Sequence, residues 1–263
     1  MDLYLKDKTI LVTGGSKGIG FACAKILAME GAQVLISSRS EENLKSAAGE
    51  IIKITGTEPG IFPADVSINK HIQDLKVWVM ENYGKLDGLV INAGGPPAGH
   101  PLTKDDEEWE KAFKTNFLSG VRLTREFIPL MQKNRFGRIV AITSTGMKQP
   151  IPNLVLSNAN RLGLSGYLKT VSLDVAKDNV LINIVMPGAV NTGRLQSLMT
   201  KVAQERGRAY EEVMADSLSK IPAGRISEPE ELGTFITFLL SGRNTYITGQ
   251  AIAVDGGIIS TTL

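Results

Sequence analysis

Short apolar runs and longer amphipathic stretches alternate along the whole chain. The apolar runs have the length of single strands and are rich in Val, Ile and Leu, a composition typical of strands buried on both faces of a sheet. They cover residues 9–12, 33–38, 60–63, 86–91, 138–143, 180–186 and 251–254. Between them, apolar positions recur with the spacing of an α-helix. The predicted helices cover residues 19–29, 41–54, 69–83, 105–118, 121–134, 155–178 and 228–240.

This alternation predicts an α/β fold, a single-domain doubly wound (Rossmann) parallel sheet of seven strands with helices on both faces. No linker, charge block, low-complexity segment or repeat divides the 263 residues, so we expect one domain over 1–263. Right-handed crossovers place the carboxyl ends of all the strands at one edge. Ligands of such sheets bind along that edge, so functional residues are expected just after the strands.

A glycine-rich turn, Thr13-Gly14-Gly15-Ser16-Lys17-Gly18-Ile19-Gly20, joins the first predicted strand to the first predicted helix. Glycines allow the backbone to turn tightly, to approach a pyrophosphate closely and to present free N–H groups at a helix N-terminus. Two residues separate Gly15 from Gly18, one more than between the first two glycines of the common dinucleotide fingerprint. The spacing is therefore not decisive by itself, and the position of the turn between a strand and a helix supports the interpretation. The predicted phosphate contacts are Gly14, Ser16, Lys17, Gly18, Ile19 and Gly20.

The end of the second predicted strand, Ser37-Ser38-Arg39, lacks the acidic residue that would bind the ribose hydroxyls of NAD. Arg39, with Lys17, would instead pair with the 2′-phosphate of NADP, because guanidinium groups match phosphate oxygens. The alternative is that both are solvated surface charges. The position of Arg39 favours NADP.

Two further segments follow strands at the same predicted edge. Asp65-Val66 comes after the third strand, where the carboxylate can accept a hydrogen bond from an adenine amino group. Asn92-Ala93-Gly94 comes after the fourth, where small residues let the backbone lie close to a ribose. Asx and Gly are also common wherever strands turn, so neither segment by itself is strong evidence for a cofactor site.

Composition excludes several classes of partner. Charges are nearly balanced and dispersed, with a formal net charge of +2, so no footprint for nucleic acid or an anionic membrane is present and a small ligand is expected. No apolar run approaches the ~20 residues that span a bilayer, and the amino terminus lacks an export signal, which predicts a cytoplasmic location. Cys23 is the only cysteine, and His71 and His100 are isolated, so no disulfide or metal site is expected.

Together these segments resemble the short-chain dehydrogenase/reductase family over nearly the whole chain. Residues 183–192, and above all Pro187, Gly188, Val190 and Thr192, resemble the family segment that holds the nicotinamide carboxamide. The C-terminal pattern is similar to that of the 3-oxoacyl-acyl-carrier-protein reductase type. The resemblance implies an NADP-dependent oxidoreductase that transfers hydride between nicotinamide and a carbonyl or alcohol. It also implies a homotetramer built through the helices of 105–134 and 155–178 and the last strand.

The family's catalytic residues are an Asn, a Ser and a Tyr-x-x-x-Lys pair. The resemblance places Asn116 where the family Asn holds a proton-relay water and Ser144 where the family Ser orients the carbonyl. At the family's usual interval, Ser157 stands at the Tyr position and Arg161 at the Lys position. A phenol near a lysine can transfer a proton near neutrality, whereas a serine hydroxyl ionises far less readily. Arg161 keeps a positive charge, is expected to bind the nicotinamide ribose and effectively never gives up its proton.

Other groups are weaker substitutes for the missing phenol. Tyr167 lies roughly 15 Å along the predicted helix from Ser157, and its spacing to Lys169 places the two on different faces. Lys148, in the loop after Ser144, would approach a substrate if that loop folds over the nicotinamide, and otherwise is a mobile surface lysine. Trp78 and Trp109 lie in predicted amphipathic helices and are interpreted as core or interface packing residues.

Residues 193–220 fall where the family places its variable substrate lid. An apolar underside is indicated by Leu195, Leu198, Met199, Val202 and Met214. It suits an acyl or other mainly hydrophobic substrate, although lid packing alone would give the same pattern. Two functions stay open: a reductase with an altered proton route, and a catalytically silent NADP-binding sensor or scaffold protein. Turnover of a carbonyl substrate would distinguish them.

Overall fold

The computed structural model describes residues 2–262 and contains one seven-stranded sheet in the order β3-β2-β1-β4-β5-β6-β7. Every neighbouring pair is parallel. The strands are β1 (Thr9–Thr13), β2 (Gln33–Ser38), β3 (Gly60–Pro63), β4 (Gly88–Ile91), β5 (Gly137–Ile142), β6 (Val180–Pro187) and β7 (Ala251–Val254). The prediction of a doubly wound parallel sheet is confirmed.

The strand order reverses beside β1, which pairs with β2 on one side and with β4 on the other. The connection after β1 runs to β2 and the connection after β4 runs to β5, so the two leave the sheet in opposite directions. Their divergence opens a crevice above the carboxyl ends of β1 and β4, the place where doubly wound sheets bind ligands.

Helices cover both faces of the sheet. They are α1 (Gly18–Met29), α2 (Glu41–Thr55), α3 (Asn69–Tyr83), α4 (Asp106–Phe113), α5 (Ser119–Lys133), α6 (Val155–Val175), α7 (Gly193–Arg206), α8 (Tyr210–Leu218) and α9 (Pro229–Leu240). Successive residues of β1 pack into different cores, Ile10 and Val12 against α1, α2 and α9, and Leu11 against α3, α5 and α6. Because both faces are buried, the strands read as continuous apolar runs.

The predicted separation between helices 105–118 and 121–134 is wrong. α4 continues into α5 through a π-helical turn, Lys114–Leu118. Gly120, which falls in the gap between the two predicted helices, lies inside α5, where a Cβ would sit 2.6 Å from a methyl group of Leu164. That glycine permits close packing of α5 on α6 and does not end the helix.

Other boundaries differ by a few residues. β4 begins at Gly88, not at residue 86, because the Asp87 carboxylate accepts a hydrogen bond from the Thr9 N–H at 2.9 Å before the ladder starts. α6 ends at Val175 and is followed by a 3₁₀ turn. Cys23 is fully buried in α1, and burial raises the pKa of its thiol to about 12, as expected for a packing residue. Within residues 2–262, none of the helices combines the length and the apolarity that a membrane span requires.

Candidate active site

The crevice above β1 and β4 has a volume of about 1590 Å³ and extends from the glycine turn to helices α7 and α8. Pockets for one drug-sized ligand hold roughly 300–1,000 Å³, so this crevice has room for a dinucleotide and a second small molecule. All but one of the site residues predicted from the sequence line it. The exception is Gly20, which lies beneath the turn. A Cβ there would sit 2.3 Å from the Gly14 carbonyl oxygen and 2.7 Å from the Asn92 side-chain nitrogen.

The glycine turn is held open toward the crevice by the loop after β4. Gly14 and Gly18 have φ values of +59° and +57°, a left-handed conformation that favours glycine. Asn92 donates its side-chain N–H to the Gly14 oxygen at 3.2 Å and its backbone N–H to the Thr13 hydroxyl at 2.9 Å. In the described chain no side chain caps the start of α1 at Lys17, so the first N–H groups of the helix can receive an anion.

Lys17 and Arg39 line the end of the crevice beside β2. Neither side chain forms an ion pair with any residue of 2–262. The neighbouring Ser37 hydroxyl is buried without a hydrogen-bond partner in the described structure. This end of the crevice therefore offers two cations and no carboxylate at the tip of β2, an arrangement that suits a phosphate.

The loop after β3 is ordered by a residue whose role the sequence did not reveal. The Asp65 backbone N–H donates to Nδ1 of His71 at 3.1 Å, and the Asp65 carboxylate accepts the backbone N–H and the hydroxyl of Ser67 at 2.9 and 2.7 Å. In the sequence, His71 is notable only as an isolated histidine without neighbouring metal ligands. It fixes the segment Asp65-Val66, which lines the crevice.

Asn116 lies in the π-helical turn between α4 and α5, and such turns frequently mark functional sites. Its side-chain N–H donates to the Gly94 carbonyl oxygen at 3.0 Å, which fixes the orientation of the amide. Its Oδ1 is buried and has no hydrogen-bond partner among the described residues. A buried polar atom of this kind calls for a water or a ligand.

Ser144 and Ser157 present two hydroxyl groups to the same crevice. Ser144 follows β5, and its Oγ accepts the Gly146 N–H at 3.1 Å. Ser157 is buried in the first turn of α6, and its Oγ accepts Nε–H of Arg161 at 3.2 Å. Because each oxygen already accepts an N–H, each hydroxyl hydrogen is left to donate to an incoming oxygen.

Arg161 ties three elements together behind Ser157. Besides Ser157, its guanidinium donates to the carbonyl oxygens of Ile142 at 2.8 Å and Ala93 at 3.4 Å. Burial, together with the nearby charge of Arg194, lowers the pKa of Arg161 to about 10. The side chain therefore remains a cation at neutral pH and polarises the Ser157 hydroxyl from behind. The expectation that Arg161 effectively never gives up its proton thus holds near neutrality but not above about pH 10.

The other groups weighed as proton donors lie elsewhere. Lys148 is exposed and is not among the crevice residues, whereas Gln149, Pro150 and Ile151 of the same loop line the crevice. The Tyr167 hydroxyl is hydrogen-bonded to the Thr124 hydroxyl at 2.9 Å, and Lys169 donates to the Gly249 oxygen at 3.0 Å. Trp78 packs against Phe62 and Tyr83, and His100 begins a 3₁₀ turn by accepting the Leu102 N–H.

Sequence reasoning missed Arg194, which stands in the first turn of α7. Its guanidinium reaches across the crevice and donates to the carbonyl oxygens of Gly95 at 2.9 Å and Pro96 at 3.0 Å. From sequence alone, an arginine in an amphipathic helix is interpreted as a solvated surface charge. The partners of Arg194 lie about a hundred positions earlier in the chain, so no local pattern reveals them. Ile258 and Ile259, beyond β7, also line the crevice and were not predicted.

Comparisons with known proteins find relatives that match nearly the whole chain. A family model described as enoyl-(acyl carrier protein) reductase matches residues 14–259. The 3-oxoacyl-acyl-carrier-protein reductase of Chlamydia muridarum is 33% identical over 258 residues, which are 98% of this chain and 100% of the relative. The Thermotoga maritima enzyme of the same name is 32% identical, with the same coverage. The structure of L-sorbose reductase from Gluconobacter frateurii, complexed with NADPH and L-sorbose, matches with a TM-score of 0.94 and 29% identity over 99% of this chain and 100% of that chain.

Proposed function

Because this chain belongs to the short-chain dehydrogenase/reductase family, we propose that it is an NADP-dependent oxidoreductase acting on a carbonyl or alcohol substrate. One observation carries the proposal. A single crevice has a glycine turn and an unpaired Arg39 at one end, and Asn116, Ser144 and Ser157 at the other. A dinucleotide that binds across the crevice would bring its reactive ring to the two hydroxyl groups.

The residues present fit NADP. The left-handed glycines and the uncapped start of α1 suit a pyrophosphate, and Lys17 and Arg39 suit a 2′-phosphate. The relative whose structure was solved with NADPH, L-sorbose reductase, shares the fold over nearly its whole length. When bound, the cofactor supplies the hydride, and the protein supplies position, hydrogen bonds and charge.

At the reacting end, we propose that Ser157 and Arg161 replace the tyrosine and lysine of the family. Ser144 and Ser157 each donate a hydroxyl hydrogen to the carbonyl oxygen, and the Arg161 cation behind Ser157 stabilises the negative charge that develops there. Donors aimed at such an oxygen are typically the largest single contribution to catalysis. The site then works as an oxyanion hole and does not depend on an ionisable acid.

The proton reaches the product by another route. Asn116 Oδ1, which is buried without a partner in the described structure, is where we place the water that delivers it. General acid catalysis contributes typically 10²–10⁴-fold, so a site that relies on water is expected to be slower than one with a phenol.

The substrate body is expected to be apolar. Leu195, Leu198 and Met199 of the lid face the crevice, as do Ile258 and Ile259. Val202 and Met214, predicted for the same apolar underside, are not among the crevice residues. The names of the sequence relatives suit a 3-oxoacyl type of substrate.

A spectrophotometric screen tests this function. Purified protein is mixed with NADPH or NADH and a panel of ketones, 3-oxoacyl thioesters and alcohols, and the nicotinamide absorbance is followed. We expect NADPH oxidation with at least one carbonyl compound, lowered about 10²-fold in Ser144→Ala. Tight NADPH binding without turnover above the Ser144→Ala control would favour the silent sensor or scaffold instead.

A further inference from the structure

Two arginines stand near each other in the crevice, and no carboxylate in the described chain pairs with either. Arg161 lies behind Ser157, and Arg194 reaches in from the lid. Burial lowers the pKa of Arg161, and the nearby charge of Arg194 lowers it further. Arg161 is buried, whereas Arg194 is exposed to solvent where it lines the crevice, and an anion bound by Arg194 would offset the repulsion between the two like charges.

Arg194 has donors to spare. Within residues 2–262, Arg194 donates two of its five guanidinium N–H groups, one to the Gly95 carbonyl oxygen and one to the Pro96 carbonyl oxygen. The guanidinium lies directly on the loop, since a Cβ at Gly95 would sit 2.4 Å from its Nη2. Arg161, by contrast, directs its guanidinium to Ser157 and two carbonyl oxygens. Arg194 is therefore the group better placed to receive an anion.

The acidic residues of the crevice are engaged elsewhere. The Asp65 carboxylate accepts from Ser67, and the Asp105 carboxylate caps α4 by accepting the Glu108 N–H at 2.8 Å. Glu108 is paired with Lys104 at 2.6 Å. Glu107, the remaining acid of the lining, forms no ion pair with Arg161 or Arg194 in the described chain. In the described chain, none of the acids that line the crevice therefore neutralises the positive charge of Arg161 or Arg194, and an anionic ligand would do so.

Leu195 and Leu198, on the same helix as Arg194, also line the crevice and offer apolar surface to the body of a ligand. We propose that the substrate of this enzyme carries an anionic group, a carboxylate, which Arg194 binds while the carbonyl oxygen meets Ser144 and Ser157. The inference rests on the proposed function and narrows its substrate class to oxo acids with an apolar body. The other anion that could reach Arg194 is the pyrophosphate of the cofactor, and the test separates the two.

Binding is measured first, so that the test does not depend on turnover. NADPH-loaded protein is titrated calorimetrically with 3-phenylpropanoate and with its methyl ester. We expect the acid to bind at least tenfold more tightly than the ester, as for one charge-assisted hydrogen bond. Turnover is then compared for 2-oxo-4-phenylbutanoate and 3-oxo-3-phenylpropanoate, each against its ethyl ester, as a ratio of kcat/KM.

Three variants identify the group responsible. Arg194→Gln keeps N–H donors for Gly95 and Pro96 but removes the charge, and it should abolish the preference for the acid. Arg194→Lys keeps the charge and should retain part of the preference. Arg206→Gln makes the same change on the exposed far end of α7, outside the crevice, and should leave the preference unchanged.

Two results would overturn the inference. The first is equal binding of acid and ester by the wild type, and the second is a preference for the acid that survives Arg194→Gln. If the second result comes with a tenfold weaker NADPH affinity of Arg194→Gln, Arg194 is assigned to the cofactor pyrophosphate. These results differ from those expected if the proposed function itself is wrong, because in that case NADPH would not bind or would not be oxidised. The same titration without cofactor would then still decide whether Arg194 binds a carboxylate.

Discussion

Ser157 and Arg161 form the unit on which the proposed chemistry depends at the scale of single residues. Nε–H of Arg161 is donated to the Ser157 oxygen, so the serine hydroxyl points its own hydrogen outward and is polarised by a cation. A serine cannot act as an acid near neutral pH, but it can donate a hydrogen bond at any pH. Under the proposed function, the pair would therefore stabilise the developing negative charge instead of transferring a proton.

Removal of the Ser157 hydroxyl tests this interpretation. Ser157→Ala should lower kcat about 10²-fold, the loss typical of one oxyanion donor, with little change in NADPH affinity. Ser165→Ala, on the same helix but outside the crevice, should leave kcat unchanged. Steady-state kinetics at saturating NADPH give the comparison. A Ser157→Ala enzyme as fast as the wild type would exclude Ser157 from the reaction.

The pH dependence separates a charged-arginine site from a phenol site. The guanidinium is charged below its pKa, which burial lowers to about 10 in Arg161, so its stabilising effect is complete at neutral pH and is lost as the pH rises through about 10. We expect kcat for reduction to stay within about twofold up to ~pH 9 and to fall above it. Rapid-mixing pH jumps measure it without long alkaline exposure. A transition centred near neutrality would indicate a different titrating group.

At the scale of elements, the glycine turn and the loop after β4 are one interlocked unit. Gly20 packs under Gly14 and Asn92, and Asn92 in turn holds the Gly14 and Thr13 segment. The unit places the start of α1 and the end of β4 on opposite sides of the crevice. Disturbing any part of it should disturb the phosphate site.

Gly20→Ala tests this interlock. The added Cβ would sit 2.3 Å from a backbone oxygen that cannot move without the turn, so we expect a loss of about 1–3 kcal/mol of stability and weaker NADPH binding. Gly49→Ala is the matched control, because nothing lies within 4 Å of its added Cβ. In the interior of α2 it should stabilise by about 0.5–1 kcal/mol. Equal melting temperatures of the two variants would contradict the interlock.

The elements themselves could be predicted from the sequence because their periodicity is local. A buried strand or an amphipathic helix can be recognised from the apolar pattern of a short segment. The residues after each strand could then be assigned to one edge of the sheet from the topology alone. The break expected near Gly120 was wrong, since its reason for being glycine is a contact with Leu164 on another helix. Arg194 and His71 were missed for the same reason: what they bind lies elsewhere in the chain.

At the scale of the whole molecule, an apolar groove is open at the surface. A groove between α4 and α6 is lined by Trp109, Phe113 and Phe117, and Leu162 and Leu173 of α6 are exposed. Trp109 thus lines a groove and is not part of a core. These are the helices through which the family resemblance implies a homotetramer, and we propose that further copies of the chain cover this surface.

The oligomeric state is directly measurable. Light scattering should give a tetramer for the wild type and a smaller species for Leu173→Glu, whose side chain is 68% exposed in the single chain. Ile54→Glu, at an exposed site on α2 that is 51% accessible, should remain tetrameric. A monomeric wild type at micromolar concentration would show that the groove has another use.

The central claim is that the crevice holds a dinucleotide phosphorylated on its adenosine ribose, with the reacting end toward Ser144 and Ser157. Titration calorimetry of the wild type with NADPH and NADH tests it most directly. We predict at least tenfold tighter binding of NADPH, a preference that Arg39→Ala removes because the guanidinium no longer pairs with the 2′-phosphate. Absence of NADPH binding, or equal affinity for NADH in the wild type, would contradict the account.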